Sequence, residues 1–178
     1  MNQTVNMPLD VVIMAAGKGT RMKSALPKVL QRLGGKPLLQ HVVETAAELK
    51  ARSVVVITGH QSEVVVNALN SMNQSFCAIN NIAEDAINTP ATANNAPILA
   101  INNVLQEPQL GTGHAVQQAV PKLPDDGMVL VLSGDVPLTQ ADTLNALIAL
   151  ANGEKLALLT IDFANPVGYG RVVRSDKH

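Results

Sequence analysis

The chain is poor in cysteine and in aromatic residues: one Cys, no Trp, one Tyr and two Phe among 178 residues. A lone Cys77 cannot close an internal disulfide, which excludes a disulfide-stapled scaffold and agrees with a reducing, cytoplasmic setting. Cys77 itself reads as a small apolar residue. Aromatics make up only 2% while hydrophobic residues reach 47%, so any core has to be aliphatic. Long apolar runs are missing too. None approaches the roughly 18 residues of a membrane span. The start, MNQTVNMPLD, lacks the basic and apolar segments of a signal peptide, so residues 1–9 read as a short leader. There is no excess of one charge: 13 Lys and Arg against 14 Asp and Glu give a net −1. That excludes a broad basic face for nucleic acid, and no membrane partner is expected either.

What is there is alternation. Branched aliphatic runs at 11–14 (VVIM), 53–58 (SVVVIT), 128–135 (MVLVLSGD) and 155–162 (KLALLTID) read as strands. Between them lie helical patterns. Pro37 precedes LLQHVVETAAELK, where Leu38, Leu39, Val42, Val43, Ala46 and Leu49 form an apolar stripe. Residues 62–70 and 113–120 read as two more helices. A fourth runs through LTQADTLNALIALAN, with Thr139 as its N-cap. Strands alternating with helices on short connections predict an α/β fold with a mostly parallel sheet flanked by helices. Ligands in such folds bind beyond the carboxyl ends of the strands, where the strand order reverses. The loops after Met14 and Leu132 are therefore the places to look for chemistry.

Residues 71–105 break the rhythm, being rich in Asn, Ala, Thr and Ser with no Lys, Arg or His. A structureless loop of that length is uncommon in a compact domain. SFCAI and APILAI each suit a strand, and the stretch around 71–100 reads as a surface insertion without chemistry. The domain then runs over 10–174, and 175–178 form a tail. GYGRVVRSDKH stops where a strand would finish, as in a truncated domain.

The loop after the first strand reads MAAGKGTRMKSALPKVL, with Lys18, Arg21, Lys23 and Lys28 around a glycine-rich bend. Taken alone, it is either a solvated turn or a grip for phosphate. Gly17 and Gly19 let backbone approach an anion closely, and successive amides in such a bend form a nest. Lys and Arg add charge and forked donors. The pattern is neither a G-x-x-x-x-G-K-[ST] loop nor a G-x-G-x-x-G fingerprint. Lys18 and Lys23 read as solvated. His41 and His60 read as structural or solvated, His114 reads as structural, and His178 is terminal.

AAGKGTRMKSALPKVL resembles the substrate loop of the sugar-nucleotide pyrophosphorylases and their nucleotidyltransferase relatives. Further segments match in order: GKPLLQHV, VLQEPQLGTGHAVQQA, LSGDVPL and NPVGYGRVVR. They are most similar to the uridylyltransferase domain of the bacterial bifunctional uridylyltransferase/acetyltransferases, of which only the earlier part is matched. The resemblance implies a Rossmann-like nucleotide-diphospho-sugar transferase fold, here truncated. It also implies transfer of UMP from UTP to N-acetylglucosamine 1-phosphate with Mg²⁺. The product is a precursor of peptidoglycan and lipopolysaccharide. Carried over by residue, Met14, Ala15, Ala16 and Gly17 would line the uridine side. Arg21 and Lys28 would hold the phosphates and stabilise departing pyrophosphate. Gln106 would read uracil with both donor and acceptor, and Gly111 and Thr112 would touch the base. Asp135 would ligate Mg²⁺, and Gly170 would meet the sugar phosphate. The second metal ligand and the amino-sugar residues of that family fall beyond residue 178, so weak activity is expected. The family's trimer depends on its acetyltransferase domain, so no oligomeric state is implied.

Two positions depart from the family: Met14 stands for the usual Leu, and Ser133 for a Tyr before the Gly-Asp pair. Cytidylyltransferases and molybdopterin nucleotidyltransferases share the AAG-x-G-x-R-M loop, but QLGTGHA and GYGR speak against them. A non-catalytic nucleotide-binding domain is the rival from another class, opposed by the intact loop and Asp135.

Overall fold

The computed structural model describes residues 7–19, 22, 24–79 and 99–173, with backbone alone for 75–79. Four parallel strands form its sheet: β1 (Leu9–Met14), β4 (Ser53–Thr58), β5 (Ala100–Leu105) and β6 (Met128–Ser133). A two-residue hairpin, β2 (Arg32–Leu33) with β3 (Lys36–Pro37), lies apart. The sheet order is β5-β4-β1-β6. Successive crossovers thus run outward from β1 on one side, and the last returns to the other side. The reversal falls between β1 and β6, where such sheets open a crevice at the strands' carboxyl ends.

Apolar side chains alternate along β1 because neighbouring residues face opposite sides of a pleated sheet. Val11, Ile13 and Ala15 pack into one buried cluster with Leu39, Val42, Val43 and Ala46 of α1 (Leu38–Glu48). Val65 and Leu69 of α2 (Ser62–Ile79) and Leu144 of α4 (Ala141–Ala151) complete that face. Val12, Val55 and Ile57 turn the other way, onto Ala115 and Ala119 of α3 (Thr112–Ala119). The two central strands, β1 and β4, are thus covered on both sides, as their runs of Val and Ile require, while Val129 and Val131 of β6 stay exposed.

Several expectations are corrected. β1 starts at Leu9, within the stretch expected as leader, and Met128 N–H donates to the Pro8 carbonyl at 2.8 Å. SFCAI is not a strand: α2 continues through Ile79, because a short apolar run with helical neighbours extends the helix already begun. The strand expected in APILAI starts at Ala100 and includes Asn102 and Asn103. Those two polar residues are exposed on a strand whose outer edge carries no partner among the described residues. KLALLTID pairs with nothing there and forms no strand; Leu156 is 88% exposed. An aliphatic run becomes a strand only where another strand satisfies its backbone groups. Thr139 is not the cap of α4, whose N-cap is Gln140 without a side-chain bond. The side chain of Cys77, most of the 71–100 insertion and the 175–178 tail lie outside the described residues. Among the described residues, no helix is long and apolar enough to cross a membrane.

At the amino end of the sheet, Asp10 is fully buried and accepts from Arg52 Nη2 at 2.5 Å, Arg52 Nε at 3.2 Å and Ser53 Oγ at 2.7 Å. Arg52 Nη1 also donates to Asp126 at 2.7 Å. The hydrogen bonds that Arg52 donates to Asp10, then to Asp126, hold the guanidinium pKa above its ordinary value. This network ties β1 to β4 at the end opposite the crevice.

Candidate nucleotide site

A cavity of about 530 Å³ opens at the carboxyl ends of the strands and is lined by the loops that follow β1, β5 and β6. Its size suits a small-molecule ligand. Met14, Ala15, Ala16, Gly17, Lys28, Gln106, Gly111, Thr112 and Asp135, all expected from the sequence, line it together. They come from positions as far apart as Met14 and Asp135, and parallel register brings them level. Met14 lies opposite Ser133 across the β1–β6 ladder. Gly134 N–H then donates to the Met14 carbonyl at 2.9 Å. A Cβ on Gly134 would stand 3.1 Å from that same carbonyl oxygen, tighter than most side chains sit, so a larger residue here would push the two strands' ends apart by a few tenths of an ångström. The turn delivers Asp135 to the cavity mouth.

There Asp135 meets Lys28. Lys28 Nζ donates to Asp135 Oδ2 at 2.5 Å, and the two side chains are 43% and 31% exposed, so an incoming anion can reach both. Lys28 stands at the start of a single 3-10 turn, Lys28–Leu30, after Pro27. Val29 and Leu30 anchor that turn in the core, which fixes where the lysine leaves the backbone. Gly19, with φ of +57°, bends the loop so closely that a Cβ there would lie 3.2 Å from Lys28 Cβ. Lys18 is exposed and does not line the cavity, as its reading as a solvated cation anticipated. Arg21 and Lys23 lie outside the described residues.

The other end of the cavity is set by Gln106, at the first position beyond β5 and only 4% exposed. Its backbone N–H donates to the Thr58 carbonyl at 2.8 Å, and its side-chain Nε2 donates to the Gly111 carbonyl at 2.9 Å. Gly111 has φ of 99°, a conformation that favours glycine, and stands as the N-cap of α3. Nε2 of Gln106 also lies 3.3 Å from Nδ1 of His114.

The sequence reading missed Gln109 and Met22, which also line the cavity. Gln109 Nε2 donates to the Ala16 carbonyl at 2.9 Å, pinning the β1 loop to the loop after β5. Gln109 is the first residue of the matched QLGTGHA motif, so the motif was the available signal. Its partner, a backbone carbonyl 93 residues away, was not visible in sequence. Gly170 is exposed and does not line the cavity; the stacked rings of Phe163 and Tyr169, 5.0 Å apart, lie in the same segment.

Among the described residues, no three His, Cys, Asp or Glu side chains lie close enough together to hold a metal. Among the described residues that line the cavity, Asp135 is the one carboxylate. That donor set fits a hard cation such as Mg²⁺, which takes one or two carboxylates and completes its shell with water and ligand phosphates.

A family model for the MobA-like NTP transferase domain matches residues 11–176. The chain is 63% identical over 166 residues to the bifunctional protein GlmU of Albidiferax ferrireducens, taking in 93% of this chain and 32% of that protein. It thus spans about a third of the length of the curated relatives it matches. Among solved structures, it is similar to a UDP-glucose pyrophosphorylase from Acinetobacter baumannii, with a TM-score of 0.59 and 22% identity over 83% of this chain and 54% of that one. It also resembles a 4-diphosphocytidyl-2C-methyl-D-erythritol synthase from Anaerococcus prevotii, with a TM-score of 0.57 and 14% identity over 85% of this chain and 54% of that one. At those identities the likeness speaks for the Rossmann-like fold alone.

Proposed function

The chain belongs to the MobA-like NTP transferase domain family, and from that premise we propose that it is the nucleotide-handling part of a uridylyltransferase. The reaction moves UMP from UTP to N-acetylglucosamine 1-phosphate, giving UDP-N-acetylglucosamine and pyrophosphate. One observation carries this reading. A single cavity at the strand-order reversal holds a lysine–carboxylate pair at one mouth and a buried glutamine at the other. Gln106 follows β5 and Asp135 follows β6, at opposite edges of the sheet, and a charge pair and an amide set apart in this way suit a nucleoside triphosphate, with its phosphates on Lys28 and its base on Gln106. The similarity to bifunctional GlmU proteins supports uridine and the amino-sugar phosphate.

In this reading, Met14, Ala15, Ala16 and Gly17 line the nucleoside through backbone, and Gly111 and Thr112 close over the base. A sugar-phosphate oxygen attacks the α-phosphorus in line. The bond from that phosphorus to the β-phosphate's bridging oxygen breaks, and pyrophosphate departs with the electron pair. Such transfers need positioning and neutralisation of spreading charge rather than a protein nucleophile. Lys28 supplies a positive charge that moves from Asp135 to the phosphates when they arrive, and Arg21 supplies a second. Asp135 would hold Mg²⁺, which when bound would supply positive charge against that of the phosphates. Gln109 keeps the Ala16 carbonyl in place, so the nucleoside side of the loop is set before substrate binds. The setting is cytoplasmic, where nucleoside triphosphates are found.

Isothermal titration with UTP and Mg²⁺, repeated with CTP and GTP, tests the reading, beside an assay for released pyrophosphate. Tighter binding of UTP than of the other two supports it. Preference for CTP or GTP overturns it.

A further inference from the structure

Gln106 was expected to show uracil both a donor and an acceptor. The structure uses its donors elsewhere. A primary amide has two N–H groups. The Gly111 carbonyl takes one at 2.9 Å, and Nδ1 of His114 stands 3.3 Å from the same nitrogen. Among the described residues, the amide oxygen of Gln106 has no hydrogen-bond partner, and the residue lines the cavity. What the cavity receives from Gln106 is therefore an acceptor.

His114 can accept at Nδ1 only as the neutral ring with its proton on Nε2. Nε2 then needs an acceptor, and the Gln118 amide, one helical turn on, has its terminal nitrogen 3.1 Å away. Rotation of that amide by a half-turn puts its oxygen in the same place and gives up the long, 3.5 Å contact of its nitrogen with the His114 carbonyl. Gly111 O meanwhile accepts the first bond of α3, from Ala115 N–H at 3.1 Å, so it is held rigidly. We propose that His114 is a specificity-determining positioning residue: with the Gly111 carbonyl it saturates the donors of Gln106 and leaves only an acceptor facing the base. An acceptor there pairs with a base bearing a ring N–H, as in uracil. It repels cytosine, whose corresponding ring nitrogen is itself an acceptor. The inference rests on the uridine reading above and assigns the source of its selectivity.

The test is titration of the chain, His114→Leu and His114→Asn with UTP and with CTP. Leu removes the acceptor while keeping bulk; Asn places Oδ1 where Nδ1 stood. The preference for UTP over CTP falls about tenfold in His114→Leu, as expected for one hydrogen bond that no longer holds the amide. It returns in His114→Asn. In a Gln106→Met background, His114→Leu leaves the ratio unchanged, whereas a purely structural role would lower affinity for both nucleotides alike. An unchanged ratio in His114→Leu, or no recovery in His114→Asn, overturns the assignment while leaving the uridine reading intact. A wild-type chain that binds neither nucleotide, or prefers CTP, overturns both. The ring itself gives a readout independent of how the variants fold. ¹⁵N spectra of wild-type His114 should show a proton on Nε2; a proton on Nδ1 refutes the clamp.

Discussion

Asp10→Ala is expected to cost about 3 to 4 kcal/mol of stability without weakening nucleotide binding. Asp10 has no exposed surface and accepts three hydrogen bonds, two of them from the Arg52 guanidinium. Breaking a buried ion pair by removing one partner costs about 3 to 5 kcal/mol, because the other charge stays behind without its partner. Here the remaining charge is partly relieved. Arg52 is 32% exposed and keeps its bond to Asp126, so water and that carboxylate recover part of the loss. Arg52→Ala should cost at least as much, since it leaves an anion with no exposed surface. The double variant should cost less than the two singles together, by about 2 kcal/mol, because neither charge is then left alone. Urea titration with an unchanged slope measures the loss. For a chain of this size each kcal/mol lowers the melting temperature by about 2–4 °C, so the midpoint should drop by about 6–16 °C. Asp10 lies four residues before Met14 on β1, about 13 Å from the cavity at the usual strand rise. Affinity for UTP should therefore stay within about twofold once the protein is folded. A loss below about 1 kcal/mol would show that the pair's desolvation cancels its attraction, and additive singles would refute the coupling.

The Lys28–Asp135 pair makes a prediction of its own: in EDTA, Asp135→Asn should bind UTP as well as wild type or better, since Lys28 is then free for phosphate. The same variant should lose the strengthening that Mg²⁺ brings, about tenfold in wild type. Titration with and without Mg²⁺ decides, and strengthening that survives in the variant would remove Asp135 as the metal's holder. The Lys36–Glu44 pair sets an acid limb. Burial alone would raise the Glu44 pKa, but hydrogen bonds from Lys36 at 2.9 Å and from Gln40 outweigh it and hold the carboxyl below its ordinary 4.5. Its contribution is therefore complete above pH 4.5 and fades as pH falls through the lower folded value. Glu44→Gln should flatten that limb by no more than about 1 kcal/mol in thermal melts at pH 3 to 6. An unchanged limb would mean the pair contributes nothing.

The division between sequence and structure follows what each interaction needs. The aliphatic strands at 11–14, 53–58 and 128–133 and the α1 stripe of Leu39, Val42, Val43 and Ala46 were legible, because periodicity of burial is a local property of the chain. That the glycine-rich loop after β1, Gln106, Gly111, Thr112 and Asp135 belong together was legible as well, through motifs of small and charged residues, and all of them line one cavity. What local pattern could not say was which partner each group would find. Whether KLALLTID forms a strand depends on a neighbour for its backbone, and none pairs with it among the described residues. Asn102 and Asn103 carry no strand signal, yet pairing with Val55 and Val56 makes them one. Gln109 becomes a clamp only because the Ala16 carbonyl arrives beside it. The same holds inside the site. Sequence determined that Gln106 is an amide with two donors and an acceptor; only the fold decided which of these the cavity sees. It placed Gly111 and His114 against the nitrogen, and a donor already engaged cannot be offered again.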